Sequence, residues 1–295
     1  MMRNAIECKS LCKSYGRAKA VNNITLTFEE NKIYGLLGRN GAGKTTLLRM
    51  LNNELIRTEG EIKYNGVEVF ENSSALENIC LVKDRGSVVE DKKVKDIFAL
   101  ASISYKFWDE DFKNKLVKKF NINVKKPFKK LSRGGQSLVG VIIGLASRAP
   151  VTIFDEPVLG LDAAVREEFY TVLLKDYEEN PRTIIISTHL IDESSNIFEE
   201  IIMINSGELI LKEGILELME KARVLVGNRD KIISILENKA HIIHEDKIGG
   251  ASIISVFDSL SEEQYERFKE NSIEVSQLSL QKLFVYLTAE KEGEE

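Results

Sequence analysis

Gly38-Arg39-Asn40-Gly41-Ala42-Gly43-Lys44-Thr45 is the most informative segment of the chain. It fits the pattern G-x-x-x-x-G-K-[ST], a loop whose glycines let successive backbone N–H groups turn inward around phosphate oxygens. The helix expected from Thr45 to Leu51 points its positive end at the same place. Lys44 adds a full charge, and the Thr45 hydroxyl is a candidate Mg²⁺ ligand. Ahead of the loop, Lys32-Ile33-Tyr34-Gly35-Leu36-Leu37 reads as a short buried strand. Strand, loop and helix in that order predict nucleotide binding on an α/β core. They do not say what the nucleotide drives.

A second acidic element follows at Val151-Thr152-Ile153-Phe154-Asp155-Glu156-Pro157. An apolar strand ending in a carboxylate is the usual companion of such a loop, so Asp155 is a candidate for the Mg²⁺ shell. Glu156 stands where a carboxylate can polarise an attacking water. Between the two lies Leu131-Ser132-Arg133-Gly134-Gly135-Gln136, followed by an apolar run to Ala146. Ser132 is a good N-cap, so this segment predicts a second helix N-terminus that seeks an anion. Both helices of one chain cannot easily meet one phosphate, which suggests that Ser132 and Gly134 serve a nucleotide held by another copy.

Composition narrows the class. The chain of 295 residues is 43% hydrophobic and 29% charged with a formal net charge of −5, which suits one large globular domain or one large and one small. The acidic balance argues against a general nucleic-acid binder. Cys8, Cys12 and Cys80 lack the paired spacing of a zinc site and read as reduced core or strand residues. Residues 1–10 carry no apolar leader and no apolar run reaches about 18 residues, so a cytoplasmic protein is expected, held at a membrane only by a partner.

At this point the chain resembles an ATP-binding subunit of an ABC transporter. Gly38 to Thr45 matches that family's Walker A motif, Thr152 to Glu156 its Walker B with the catalytic glutamate, and Leu131 to Gly135 its signature. Gly160-Leu161-Asp162 resembles the D-loop, and Ser187-Thr188-His189 ends a strand as the family's switch histidine does. Tyr15 sits where the family stacks an aromatic ring on adenine. The resemblance covers about residues 3 to 221. It implies a P-loop NTPase fold with a RecA-like core and a helical subdomain, with ATP and Mg²⁺ as the bound species. It implies Lys44, Glu156 and His189 as catalytic groups. Gly38, Asn40, Gly41, Gly43, Thr45, Thr46, Ser132, Gly134 and Asp162 are the implied nucleotide contacts, beside Tyr15 and Lys44. The implied partners are a transmembrane subunit and a second ATPase subunit, the same or different, with no nucleic acid. Asp162 is also a plain N-cap for the helix from Ala163.

Two departures from the family stand out. Where it usually carries a glutamine near the metal and the water, this chain reads Asn78-Ile-Cys-Leu-Val-Lys83-Asp84-Arg85, in which Asp84 is the available oxygen ligand. In the signature, Arg133 stands in place of a glycine and Gly135 in place of a glutamine. The expectation for Arg133 is an extra positive charge near the partner's γ-phosphate.

Residues 5 to 85 and 151 to 212 read as alternating strands and helices, with hairpin-like turns at Gly60, Gly66 and Gly207. Residues 88 to 147 carry amphipathic helices at Val94 to Ile103 and Asp109 to Phe120. Phe107 and Trp108 between them are a candidate surface for the membrane partner, with buried packing the plainer fate of a single Trp. The expected division is 1–221 for the ATPase domain and 222–295 for an α+β domain with an acidic tail. Its order β-α-β-β-α-β resembles a ferredoxin-like unit, either regulatory, dimerising or a buttress. His241 and His244 fall on opposite faces of a strand and make no metal pair. The C-terminal sequence resembles exporter-type ATPases of antimicrobial peptides and phenol-soluble modulins. Competing functions are a weakly hydrolysing nucleotide-dependent regulator and a soluble ATPase acting on DNA or ribosomes. Only about 90 residues separate loop and signature, with no sustained heptads, which disfavours the coiled-coil chromosome type.

Overall fold

Strands covered on both faces read as unbroken apolar runs. Three such runs form the centre of the protein: Ile33–Leu37, Val151–Asp155 and Thr183–Ser187, with every residue buried. The computed structural model describes residues 4–83, 91–237 and 240–289. In chain order the elements are β1 (Asn4–Tyr15), β2 (Ala18–Glu29), β3 (Ile33–Leu37), α1 (Lys44–Leu51), β4 (Glu59–Tyr64), β5 (Val67–Glu68), α2 (Ser73–Leu76) and β6 (Ile79–Val82). Next come α3 (Val94–Ser104), α4 (Glu110–Lys119), α5 (Arg133–Ala146), β7 (Val151–Asp155), α6 (Ala163–Glu179), β8 (Thr183–Ser187), α7 (Ile191–Ser194), β9 (Glu200–Asn205) and β10 (Glu208–Gly214). The chain continues through α8 (Ile215–Lys221), β11 (Ala222–Gly227), α9 (Arg229–Leu236), β12 (Ile242–Ile248), β13 (Ala251–Phe257), α10 (Glu262–Glu270), β14 (Glu274–Gln277) and α11 (Leu280–Leu287).

These elements form two compact units. One holds the chain up to His189 together with Asn196–Lys212; the other holds Leu190–Ser195 and the chain from Glu213 onward. The change of character expected at Lys221 therefore comes earlier, because α8 packs on β11 and buries Leu218.

In the first unit a six-stranded sheet has the order β10-β9-β3-β8-β7-β6, and the strands from β9 to β6 run parallel. β8 lies between β3 and β7, so the two strands that carry the phosphate loop and Asp155 are next-nearest neighbours. A second sheet, β2-β1-β4-β5, is antiparallel. α1 joins the two: Leu47, Leu48 and Leu51 share one core with Leu11 and Phe28 of the antiparallel sheet and Ile185 of the parallel one. Its position is set by burial, since eight residues make too short a helix to hold itself.

Between β6 and β7 the described chain holds helices joined by turns and no strand, only a single bridge between Lys93 and Pro127. α4 illustrates how sequence sets such an element. Asp109 caps it by accepting from Phe112 N at 2.8 Å, Glu110 and Asp111 occupy the first turn, and Lys118 and Lys119 the last, all matched to the helix dipole. Trp108 is half-buried and its indole N–H donates to Glu110 at 2.9 Å, whereas Phe107 is exposed. Behind α4, Asp176 is buried between two guanidinium groups, paired with Arg148 and, at 2.8 Å, with Arg182.

Gly66 and Gly207 sit in the turns joining β4 to β5 and β9 to β10, as expected. Gly60 does not. It lies inside β4 at φ +90, where a Cβ would approach the Lys9 and Ser10 carbonyls to 2.5 Å, so close backbone approach and not a turn requires glycine there.

The second unit is a four-stranded sheet in the order β12-β13-β11-β14 with every neighbouring pair antiparallel. With two helices crossing between strands, that is the ferredoxin-like order. Leu225, Ile254 and Val256 of the sheet pack on Ile232 and Leu236 of α9 and Phe268 of α10. β12 begins at Ile242, so His241 precedes the strand, and His244 stacks on Tyr286 of α11 with centroids 4.0 Å apart. Cys8 and Cys80 are fully buried, Cys12 is partly exposed, and none of the three is in a disulfide.

Candidate functional site

Between Leu37 and Lys44 the chain must reverse tightly enough to aim α1 back at the end of β3. Gly43 takes φ +103 at the N-cap, and a Cβ there would collide with the Ala20 carbonyl oxygen. Only glycine fits, for reasons of both dihedral and space. Gly41 is at φ +83 in open space, while a Cβ on Gly38 would lie 2.8 Å from the Ile204 carbonyl. The loop is also tied from outside: Gly207 N donates to Ala42 O at 3.0 Å, and Asn22 N to Gly207 O at 2.8 Å.

Lys44 is 7% exposed, and its Nζ donates to Gly38 O at 2.5 Å. Burial pushes its pKa below the ordinary lysine value, opposed by the charges of Glu156 and Asp155. The ammonium is thus held across the loop with its solvation largely removed and two carboxylates only partly offsetting that loss.

The carboxylates follow from strand ends. Asp155 closes β7 and accepts from Thr45 Oγ1 at 2.8 Å on one oxygen and from Ser187 Oγ at 2.5 Å on the other. Glu156 leaves the strand in a left-handed conformation, φ +54, with its N–H donating to Ser187 O at 3.1 Å. A non-glycine residue held there stores strain, a feature that clusters at working sites. The turn aims its side chain at His189, whose Nδ1 lies 2.7 Å from Glu156 Oε2.

A cavity of about 260 Å³ opens among Ala20, loop residues 39–46 and Glu156. A larger one, about 890 Å³, lies at the opposite strand ends among Tyr64, Trp108, Arg148 and Asn180, and holds none of the phosphate-loop residues. The smaller cavity is the candidate site, because the glycine-rich loop, the Lys44 side chain and Glu156 line it and Asp155 is joined to its Thr45.

Of the candidates, Asn40, Gly41, Gly43, Lys44, Thr45, Thr46 and Glu156 line this cavity, Gly38 and Asp155 support it, and His189 joins through Glu156. Tyr15 is 52% exposed at the end of β1, on the hairpin whose Ala20 lines the cavity. Ser132 and Gly134 do not line it. Ser132 caps α5 through Gly135 N at 3.2 Å, and Asp162 caps α6 through Val165 N at 3.0 Å. Asp84 lies outside the described residues. Ala20, Ser187 and Gly207 serve the site without being candidates for it; Gly207 is a turn glycine and Ser187 part of the strand end before His189, while no sequence signal marks Ala20.

Among the described residues no three His, Cys, Asp or Glu side chains gather to hold a metal. The Thr45 hydroxyl and Asp155 carboxylate nevertheless fit Mg²⁺, which takes one or two protein oxygens and completes its shell with phosphates and water.

Comparison with known proteins agrees with this geometry. Residues 21–159 match the ABC transporter family model. The ABC transporter ATP-binding protein YtrB of Bacillus subtilis (strain 168) is 26% identical over 73% of this chain and 74% of its own. The bacitracin transport ATP-binding protein BcrA of Enterococcus faecalis is 28% identical over 95% of this chain and 93% of its own, a span that includes the second unit. Among solved structures, a dimeric, post-hydrolysis state of the ATP-binding cassette MJ0796 bound to ADP and phosphate superimposes with a TM-score of 0.63. It is 22% identical and covers 71% of this chain and 98% of that one. Residues 21–159 therefore carry an ABC transporter domain, and the chain is similar to ATP-binding proteins of ABC transporters.

Proposed function

We propose that the chain binds and hydrolyses ATP as the energy-coupling subunit of a transporter that exports a peptide or drug through separate transmembrane subunits. The observation that carries the hydrolytic reading is the contact of Glu156 with His189 at the mouth of the phosphate loop. Similarity to a bacitracin transport protein along nearly the whole chain supports the export reading.

In this reading the N–H groups of the loop and the N-terminus of α1 hold the β- and γ-phosphates. Phosphate charge replaces the solvation that burial takes from Lys44, so its pKa rises on binding. Thr45 and Asp155 would hold Mg²⁺, which when bound neutralises charge on the phosphate oxygens. Glu156 orients and polarises the attacking water, and His189 fixes the Glu156 carboxylate and contacts the γ-phosphate. Tyr15 offers its exposed ring to adenine. Ser132 and Gly134 complete the site of a second subunit, since neither lines the cavity of its own chain. Two ATP molecules then sit between two chains, and their binding closes the pair.

The membrane partner would meet α3. Leu100 and Ile103, three apart on that helix, and Phe107 in the turn beyond it are 46%, 83% and 44% exposed large apolar side chains. No helix among the described residues is long and apolar enough to cross a membrane, so translocation is assigned to the partner. Measuring ATPase activity with and without a co-purified membrane protein tests the proposal. Stimulation by the membrane protein supports it. Robust turnover that responds only to DNA or ribosomes, or no turnover at all, contradicts it.

A further inference from the structure

The first turn of α5 is fastened to the turn that follows Glu156 in the same chain. Gly160 adopts φ +81, and a Cβ built on it would lie 2.9 Å from Arg133 Cγ, 3.1 Å from Cδ and 3.2 Å from Cβ. The aliphatic stem of Arg133 therefore lies flat on Gly160. Gly134 also approaches it: a Cβ there would come within 2.6 Å of the Gly160 carbonyl oxygen. One turn further along, the largely buried Ser137 donates its hydroxyl to Leu159 O at 2.7 Å. The segment so gripped is short and internally bonded, with Leu159 N donating to Glu156 O at 3.2 Å and Leu161 N to Val158 O at 3.1 Å.

We propose that Arg133 is a positioning residue for Glu156, acting through the packing of its hydrocarbon stem on Gly160. The charge role expected from the sequence is not what the contact with Gly160 uses. This rests on the proposed function. There, the start of α5 faces ATP bound by a second subunit, while Glu156 acts on ATP bound by its own chain. A rigid join between the two lets engagement of one ATP set the base for the other. Gly160 is needed because any side chain would hold the stem away, and Arg133 because a shorter residue would leave the turn uncovered.

The test compares Arg133→Ala, Arg133→Met and Arg133→Lys in the full-length protein. The alanine variant is expected to lower kcat about tenfold with KM for ATP little changed, and both Met and Lys to restore kcat, since each retains a stem. Recovery by Lys but not Met, or an alanine variant equal to wild type, would overturn the proposal. A second measurement needs no hydrolysis. In nucleotide-free protein, amide exchange over residues 158–161 should be faster for Arg133→Ala and normal for Arg133→Met. Equal exchange in all variants overturns the contact. Absence of turnover in the wild type would instead refute the ATPase reading, leaving the exchange result to judge this one.

Discussion

Thr45 and Asp155 meet at 2.8 Å although they stand at opposite ends of the core motif, one on the first turn of α1 and the other at the end of β7. Ser187 grips the second oxygen of the same carboxylate from the neighbouring strand β8. The carboxylate thus has a hydroxyl on each side before any cation arrives. Ser187→Ala leaves a buried oxygen without its donor, and should cost about 1–3 kcal/mol in urea unfolding. It should also weaken Mg²⁺-dependent ATP binding, because Asp155 is then free to rotate.

Lys44 is a cation placed where folding alone does not want it. Burial lowers its pKa, so the unfolded chain holds the proton to higher pH than the folded one. The penalty is fully present below the folded-state pKa and fades as pH rises toward the model-peptide value of 10.5. Lys44→Met should therefore abolish tight ATP binding while leaving nucleotide-free thermal stability equal or higher at neutral pH, with the gain shrinking at high pH. Loss of both stability and binding would contradict this.

Asp176 presents the opposite case. It is 4% exposed and compensates Arg148 and Arg182 together, and burial already depresses the pKa of Arg182. Asp176→Ala strands buried positive charge and should cost about 3–5 kcal/mol in denaturant unfolding. A cost below 1 kcal/mol would mean that water reaches the pair.

Burial pushes the Cys8 thiol from 9.0 up to about 12 and raises Cys80 as well. At pH 8 iodoacetamide should spare both in the native protein and modify them in denaturant, since the thiolate is the attacking species. The folded state keeps the Cys8 proton beyond the pH at which the unfolded chain releases it. This contribution to stability is complete below 9.0 and is lost as pH rises toward about 12.

Much of the site could be read from residue order because phosphate loops and strand-end carboxylates depend on local rules. Gly43, Lys44 and Thr45 announce themselves by type and spacing. Ser187 does not, since its role comes from β8 lying between β3 and β7 in a register that sets it opposite Asp155. Ala20 is invisible for a similar reason: its carbonyl limits Gly43 only once β2 packs beside the loop. Gly60 misled because glycine marks both turns and close strand approaches. In the second unit, alternating short strands and helices were legible along with the ferredoxin-like order. The inclusion of Leu190–Ser195 was not, because the chain enters and leaves that unit within one short helix. Arg133 shows the limit of motif comparison, which assigns the residue a charge while packing uses its stem.

Glu156→Gln decides whether Glu156 acts on water beside ATP in a closed pair of subunits. This variant should bind Mg²⁺-ATP, accumulate as a dimer in size-exclusion chromatography, and turn over about 10²–10⁴-fold more slowly than wild type. Undiminished hydrolysis by Glu156→Gln would contradict it.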